Sequence, residues 1–191
     1  MAGVAALLLG TVLTAALVGC GDNGDGRYAG LSTYESADGS FLIRYRKPPW
    51  KLIEAKPSAV TLQVERAGVG LVNVDAGASD TPAILESIYW FTARLVSGTA
   101  MACVDAALAA MPEGSTVVQA RREVETAHGD KGFDASYSYP IVRAERYVRV
   151  TCLSHPGADA LELRFDSSKP LKRAEVDEMI AGVEIRTAES P

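Results

Sequence analysis

Alternation of apolar and polar residues at a period of two recurs along most of this chain, and it limits the available folds more than any other feature. From Ser40 to Arg46, one face carries Phe41, Ile43 and Tyr45, and the other carries Leu42, Arg44 and Arg46. That period predicts a half-buried strand, because successive strand side chains point to opposite faces. Pro48-Pro49 ends it, since proline cannot donate to a ladder. Ala59 to Arg66 alternates through Val60, Leu62 and Val64, and Val69 to Val74 repeats the habit after an Ala67-Gly68 turn. Further strands are expected at Thr116 to Thr126, Phe133 to Tyr139 and Glu145 to Ser154, then through Leu161, Leu163 and Phe165. His128 to Gly132 and Pro156-Gly157 supply the turns between them.

Three segments carry the helical period instead. Thr81-Pro82 has the form of an N-cap followed by proline in the first helical position. Ile84, Ile88, Phe91 and Leu95 follow at helical spacing, widened by Leu85, Tyr89 and Val96, which predicts a buried helix up to Ser97-Gly98. A second helix is expected from about Met101 to Met111, stopped by Pro112 and Gly114, with Cys103 and Ala107 on one face beside Val104, Leu108 and Met111. The last begins near Pro170 and aligns Val176, Met179, Ile180 and Val183, before a short closing strand from Glu184 to Thr187. Strands at hairpin spacing, with helices segregated from them, predict an α+β domain with an antiparallel sheet packed against helices.

The N-terminus has a different character. Ala2 to Val18 is uncharged and rich in Ala, Leu and Val, too short for a spanning helix but suited to a signal h-region. Leu17-Val18-Gly19-Cys20 resembles the lipobox of bacterial lipoproteins. The resemblance implies removal of residues 1–19 and acylation of Cys20. Met1-Ala2-Gly3 lacks the usual basic residues, which predicts a true start upstream. Residues 20–27 include a run of Gly, Asp and Asn that cannot offset its ordering entropy by burial, so a flexible tether is expected. Residues 28–191 then form one globular domain. The expected location is the cell envelope, with the chain held on a membrane through lipid and facing the periplasm or the exterior.

Of the 191 residues 48% are hydrophobic, and the net charge of -5 argues against a nucleic-acid partner, which needs a basic surface. With Cys20 lipidated, Cys103 and Cys152 remain as an even pair in an oxidising compartment. They are candidates for a disulfide, the alternative being two separate buried thiols. The two histidines, His128 and His155, fall in turns without the converging ligands a metal site requires. Ser154-His155 are neighbours on a strand, whose side chains diverge, and no Gly-x-Ser-x-Gly elbow occurs. No catalytic residue, metal ligand or cofactor is therefore predicted.

One surface has the composition of a recognition site. Arg146 and Arg149 flank Tyr147, and Tyr137 and Tyr139 lie on the preceding strand. Arginine and tyrosine are the residue types enriched at binding hot spots. Phe41-Leu42-Ile43-Arg44-Tyr45 with Pro48-Pro49-Trp50, and Phe165-Asp166-Ser167-Ser168 before a helix containing Met179-Ile180, resemble the start and end of PsbP/Mog1-like α/β sandwich proteins. That resemblance implies a sandwich of sheet and helices and, since the fold serves adaptors and assembly factors, no defining catalytic set. The expectation is a non-enzymatic, lipid-anchored binding or assembly module for another envelope protein. The alternative is a carrier or sensor of a small apolar ligand held by Tyr89, Trp90, Phe91 and Leu95.

Overall fold

The computed structural model describes residues 30–47, 50–64, 89–142, 144–170 and 173–186. In chain order these form β1 (Leu31–Glu35), β2 (Phe41–Arg46), β3 (Trp50–Lys56), β4 (Ala59–Val64) and β5 (Tyr89–Val96). Then come α1 (Ala100–Ala109), β6 (Thr116–Glu125), β7 (Lys131–Ile141), β8 (Ala144–Ser154), β9 (Ala160–Ser167), α2 (Arg173–Ala181) and β10 (Val183–Ile185). Signal peptide, tether, the expected strand at Val69 to Val74 and the first part of the expected Thr81 helix lie outside the described residues.

A seven-stranded sheet runs β3-β4-β5-β9-β8-β7-β6, and a three-stranded one runs β1-β2-β10. Every described pairing is antiparallel. The small sheet and α2 cover the inner face of the large sheet, and α1 lies on its outer face. Two apolar clusters record these layers. The larger joins Phe41, Ile43 and Tyr45 of β2 and Val176, Met179 and Ile180 of α2 to Leu62, Phe91, Leu163 and Phe165 of the large sheet. The smaller seats Ala100, Cys103 and Val104 of α1 on Ala135, Tyr137, Val148, Val150 and Cys152.

Three expectations are corrected. Tyr89–Val96 is a strand and not the second half of a helix: β5 pairs with β4 and, over its whole length, with β9. Its alternation puts Phe91 and Ala93 at zero exposure inside and leaves Arg94 outside. β1 and β3 are strands in segments where none is expected. β2 is buried on both faces, since Leu42 and Arg44 are as enclosed as Phe41 and Ile43. Among the described residues the result is a strand-rich antiparallel architecture with two short helices.

Thr99 accepts a hydrogen bond on Oγ1 from the Ala102 amide at 3.2 Å, capping α1. Cys103 on that helix and Cys152 on β8 form a disulfide with Cα atoms 6.1 Å apart, so the smaller core is cross-linked.

Candidate functional site

The five candidate residues do not share one face. In an antiparallel pair, residues opposite each other project to the same side. Tyr139 is opposite Arg146 and Tyr137 opposite Val148, whereas Ser138 is opposite Tyr147 and Ser136 opposite Arg149. Tyr137, Tyr139 and Arg146 therefore project outward, on the side of α1, while Tyr147 and Arg149 project inward. Arg146 and Arg149 are three residues apart, an odd number, and a strand sends such a pair to opposite faces.

Arg149 is withdrawn from any binding surface. Its Nε donates to Asp134 Oδ1 at 2.9 Å and its Nη2 to Asp177 Oδ1 at 2.6 Å. Asp134 is fully buried and also accepts from Thr151 Oγ1 at 3.3 Å, Arg122 Nε at 2.9 Å and Gln119 Nε2 at 3.4 Å. Strands β6, β7 and β8 thus meet at one carboxylate, and α2 joins them through Asp177, which shares Arg149 with it. Charge-assisted bonds of this kind offset the desolvation of buried charges, and they fix how the helix sits on the sheet. Tyr147 donates its hydroxyl to Glu145 Oε2 at 2.8 Å. That bond, with some burial and the nearby carboxylate charge, raises its phenol above the usual value.

The outward set belongs to a different arrangement, one that sequence reading did not single out. Arg146 Nε donates to Asp166 Oδ1 at 2.8 Å, and Arg164 Nη2 lies 3.9 Å from Asp166 Oδ2. Arg94 donates to Glu162 Oε2 at 2.8 Å through Nη2 and at 3.3 Å through Nε. The tyrosine rings of Tyr137 and Tyr139 stand 6.3 Å apart. Burial raises the Tyr137 phenol, with the charge and hydrogen bond of Arg164 opposing. Acidic and basic groups thus form a ladder across β5, β9 and β8. It borders a shallow groove of about 330 Å³ floored by Thr61, Thr92, Arg94 and Glu162. Arg94 is 61% exposed and Arg164 34%, so both remain accessible. Such a surface can exchange its internal ion pairs for those of a partner. The available signal was Glu162, Arg164 and Asp166 alternating with Leu161, Leu163 and Phe165.

Both histidines serve the scaffold. His128 Nε2 lies 2.9 Å from Arg44 Nη1. His155 Nδ1 lies 2.8 Å from Asp130 Oδ1, while Asp130 Oδ2 accepts from the Ile185 amide at 3.0 Å and ties β10 to the β6–β7 turn. Among the described residues, no group of three or more His, Cys, Asp or Glu converges as a metal site would require. Phe91, expected to line an apolar pocket, packs at 4.8 Å from Phe165 and 6.2 Å from Trp50, ring to ring. Trp90 alternates to the other face, Leu95 is only partly buried against the larger core, and of Tyr89 only the backbone is described. Cys20 lies outside the described residues.

No protein-family model matches the sequence, and no curated protein matches it significantly. Solved structures do share its shape. The Saccharomyces cerevisiae Ran-binding protein Mog1p has a TM-score of 0.51 at 9% identity, over 81% of this chain and 95% of that one. A point mutant of Mog1 gives the same values. A Bacteroides thetaiotaomicron protein has a TM-score of 0.49 at 12% identity; 81% of this chain is covered, but only 48% of that protein. The chain is thus similar in fold to Mog1p.

Proposed function

We propose that this chain is a non-enzymatic, lipid-anchored envelope protein, whose PsbP/Mog1-like domain binds or helps assemble another envelope protein. Cys20 supplies the anchor, residues 20–27 supply reach, and the outer face of the large sheet supplies contact. The observation that carries the reading is the pair of accessible arginines, Arg94 and Arg164, held on the outer face by the largely enclosed Glu162 and Asp166. Mog1p, a Ran-binding protein, offers a precedent for a binding role on this fold.

Two experiments test the two halves. With Cys20→Ser, the chain leaves the membrane fraction and its mass loses the acyl chains; a variant that stays in the membrane overturns the anchor. For the contact face, the chain is cross-linked in its native envelope with and without the paired change Arg94→Glu and Arg164→Glu. The reading expects loss of the cross-linked partner, compared at a temperature where both chains are folded, since removing Arg94 from the nearly buried Glu162 lowers the melting temperature. Equal capture by variant and wild type overturns the proposed face.

A further inference from the structure

Every arginine whose side chain is described lies in an ion pair. Against that background, two exposed carboxylates stand out. Glu123 and Glu125 on β6 form no ion pair among the described residues, and both line a groove of about 540 Å³ between the start of α1 and the β6–β7 hairpin. A cavity of this size is within the range that holds ligands and peptide segments. Glu123 lies opposite Phe133 in the ladder, and Glu125 opposite Lys131. Both glutamates therefore project to the outer face, separated by two residues of strand, roughly 6.8 Å. Met101, 43% exposed in the first turn of α1, is the large apolar side chain of the other wall, while Phe133 lies beside Glu123 under the Arg121 guanidinium, 5.5 Å from its ring centroid. Lys131 is the one basic side chain of the lining, so two carboxylates face one ammonium.

We propose that this groove receives an extended basic segment of a protein partner. Its lysine or arginine side chains, at alternate positions, face Glu123 and Glu125, and the aliphatic side chain between them rests on Met101. The match is one of period and charge. Alternate residues of an extended peptide repeat at the same spacing as the two glutamates, and their charge offsets the excess of carboxylate over ammonium in the lining. The intervening side chain points to the opposite wall, which is where the apolar surface lies. The site is separate from the charged ladder and does not depend on it.

The probe is acetyl-Lys-Leu-Lys-Leu-Lys-amide carrying a fluorophore, with a photoreactive leucine in a second preparation. It is titrated against the full chain in neutral detergent. The expected result is saturable binding and cross-links to Met101. E123Q/E125Q weakens it by about fivefold or more, as does raising the salt. The acidic counterpart with glutamates in place of lysines does not bind. Both substitutions are isosteric and exposed, so the fold is retained; Glu113→Gln, exposed outside the groove, serves as a control that leaves binding unchanged. Absence of saturable binding, cross-links elsewhere, equal affinity of the acidic peptide, or no effect of E123Q/E125Q each overturns the proposal.

Discussion

Arg149 and Asp105 make ion pairs of similar length, yet burial separates them. Asp134 has no exposed surface and the Arg149 side chain is 7% exposed, so Arg149→Ala leaves a buried carboxylate with part of its compensation gone. We expect a loss of about 3–5 kcal/mol in urea unfolding. Asp105→Ala breaks a 2.6 Å pair with Arg121 whose members are 55% and 39% exposed, and the expected loss stays within roughly 1 kcal/mol. Glu184 sets an acid limit. Burial pushes its carboxyl up, but hydrogen bonds from Arg186 and Arg44 and their charges hold it below the ordinary carboxylate value. A carboxyl depressed in the folded state contributes stability above its unfolded pKa, and that contribution is lost as pH falls through the folded value. Glu184→Gln is therefore destabilising at pH 7, and its difference from wild type shrinks below about pH 4.5. Denaturation midpoints across that range check the sign.

Among the elements, α1 combines a small buried face with a covalent bond to the sheet. Ala100, Cys103 and Val104 are its buried residues, and its core is the smaller of the two. The Cys103–Cys152 bond closes a separation of 49 residues, for which chain entropy allows on the order of 4 kcal/mol. Reduction, or Cys103→Ser with Cys152→Ser, is expected to raise amide exchange over Ala100–Ala109 well before the strands of the larger core open. Uniform loss of protection would show instead that α1 and the sheet unfold as one unit. The helix itself was legible: Ser97-Gly98 before it, Cys103, Val104, Ala107, Leu108 and Met111 at helical spacing, and Pro112 with Gly114 beyond it. The β5 strand was not. Ile84, Ile88, Phe91 and Leu95 fit a helix, while Phe91, Ala93 and Leu95 against Trp90, Thr92 and Arg94 fit a strand. A short apolar run satisfies both periods, and the choice fell to pairing with β9, some seventy residues away. The candidate site failed in a similar way. Tyr and Arg were recognised as binding types, but their grouping ignored that Arg146 and Arg149 alternate across the sheet.

At the scale of the whole molecule, local pattern and long-range assembly contributed different things. Alternation and turn residues were enough to specify most strands, their antiparallel sense, α1 and α2, because each depends on residues within a few positions of one another. The pairing of Cys103 with Cys152 stood as one of two open readings until geometry placed their Cα atoms 6.1 Å apart. The order β3-β4-β5-β9-β8-β7-β6, and the separate β1-β2-β10 sheet, were not specified locally. Nor were the Asp134 cluster, the outward ladder from Arg94 to Arg146, or the groove beneath Glu123 and Glu125. Each draws its members from strands and helices far apart in sequence, so their meeting follows from which apolar faces cover one another. Residue type and spacing settled which side chains had charge, reach or a thiol. Only the packed layers decided whether a given arginine would be enclosed against a carboxylate or left at the surface, because burial is a property of everything stacked above it.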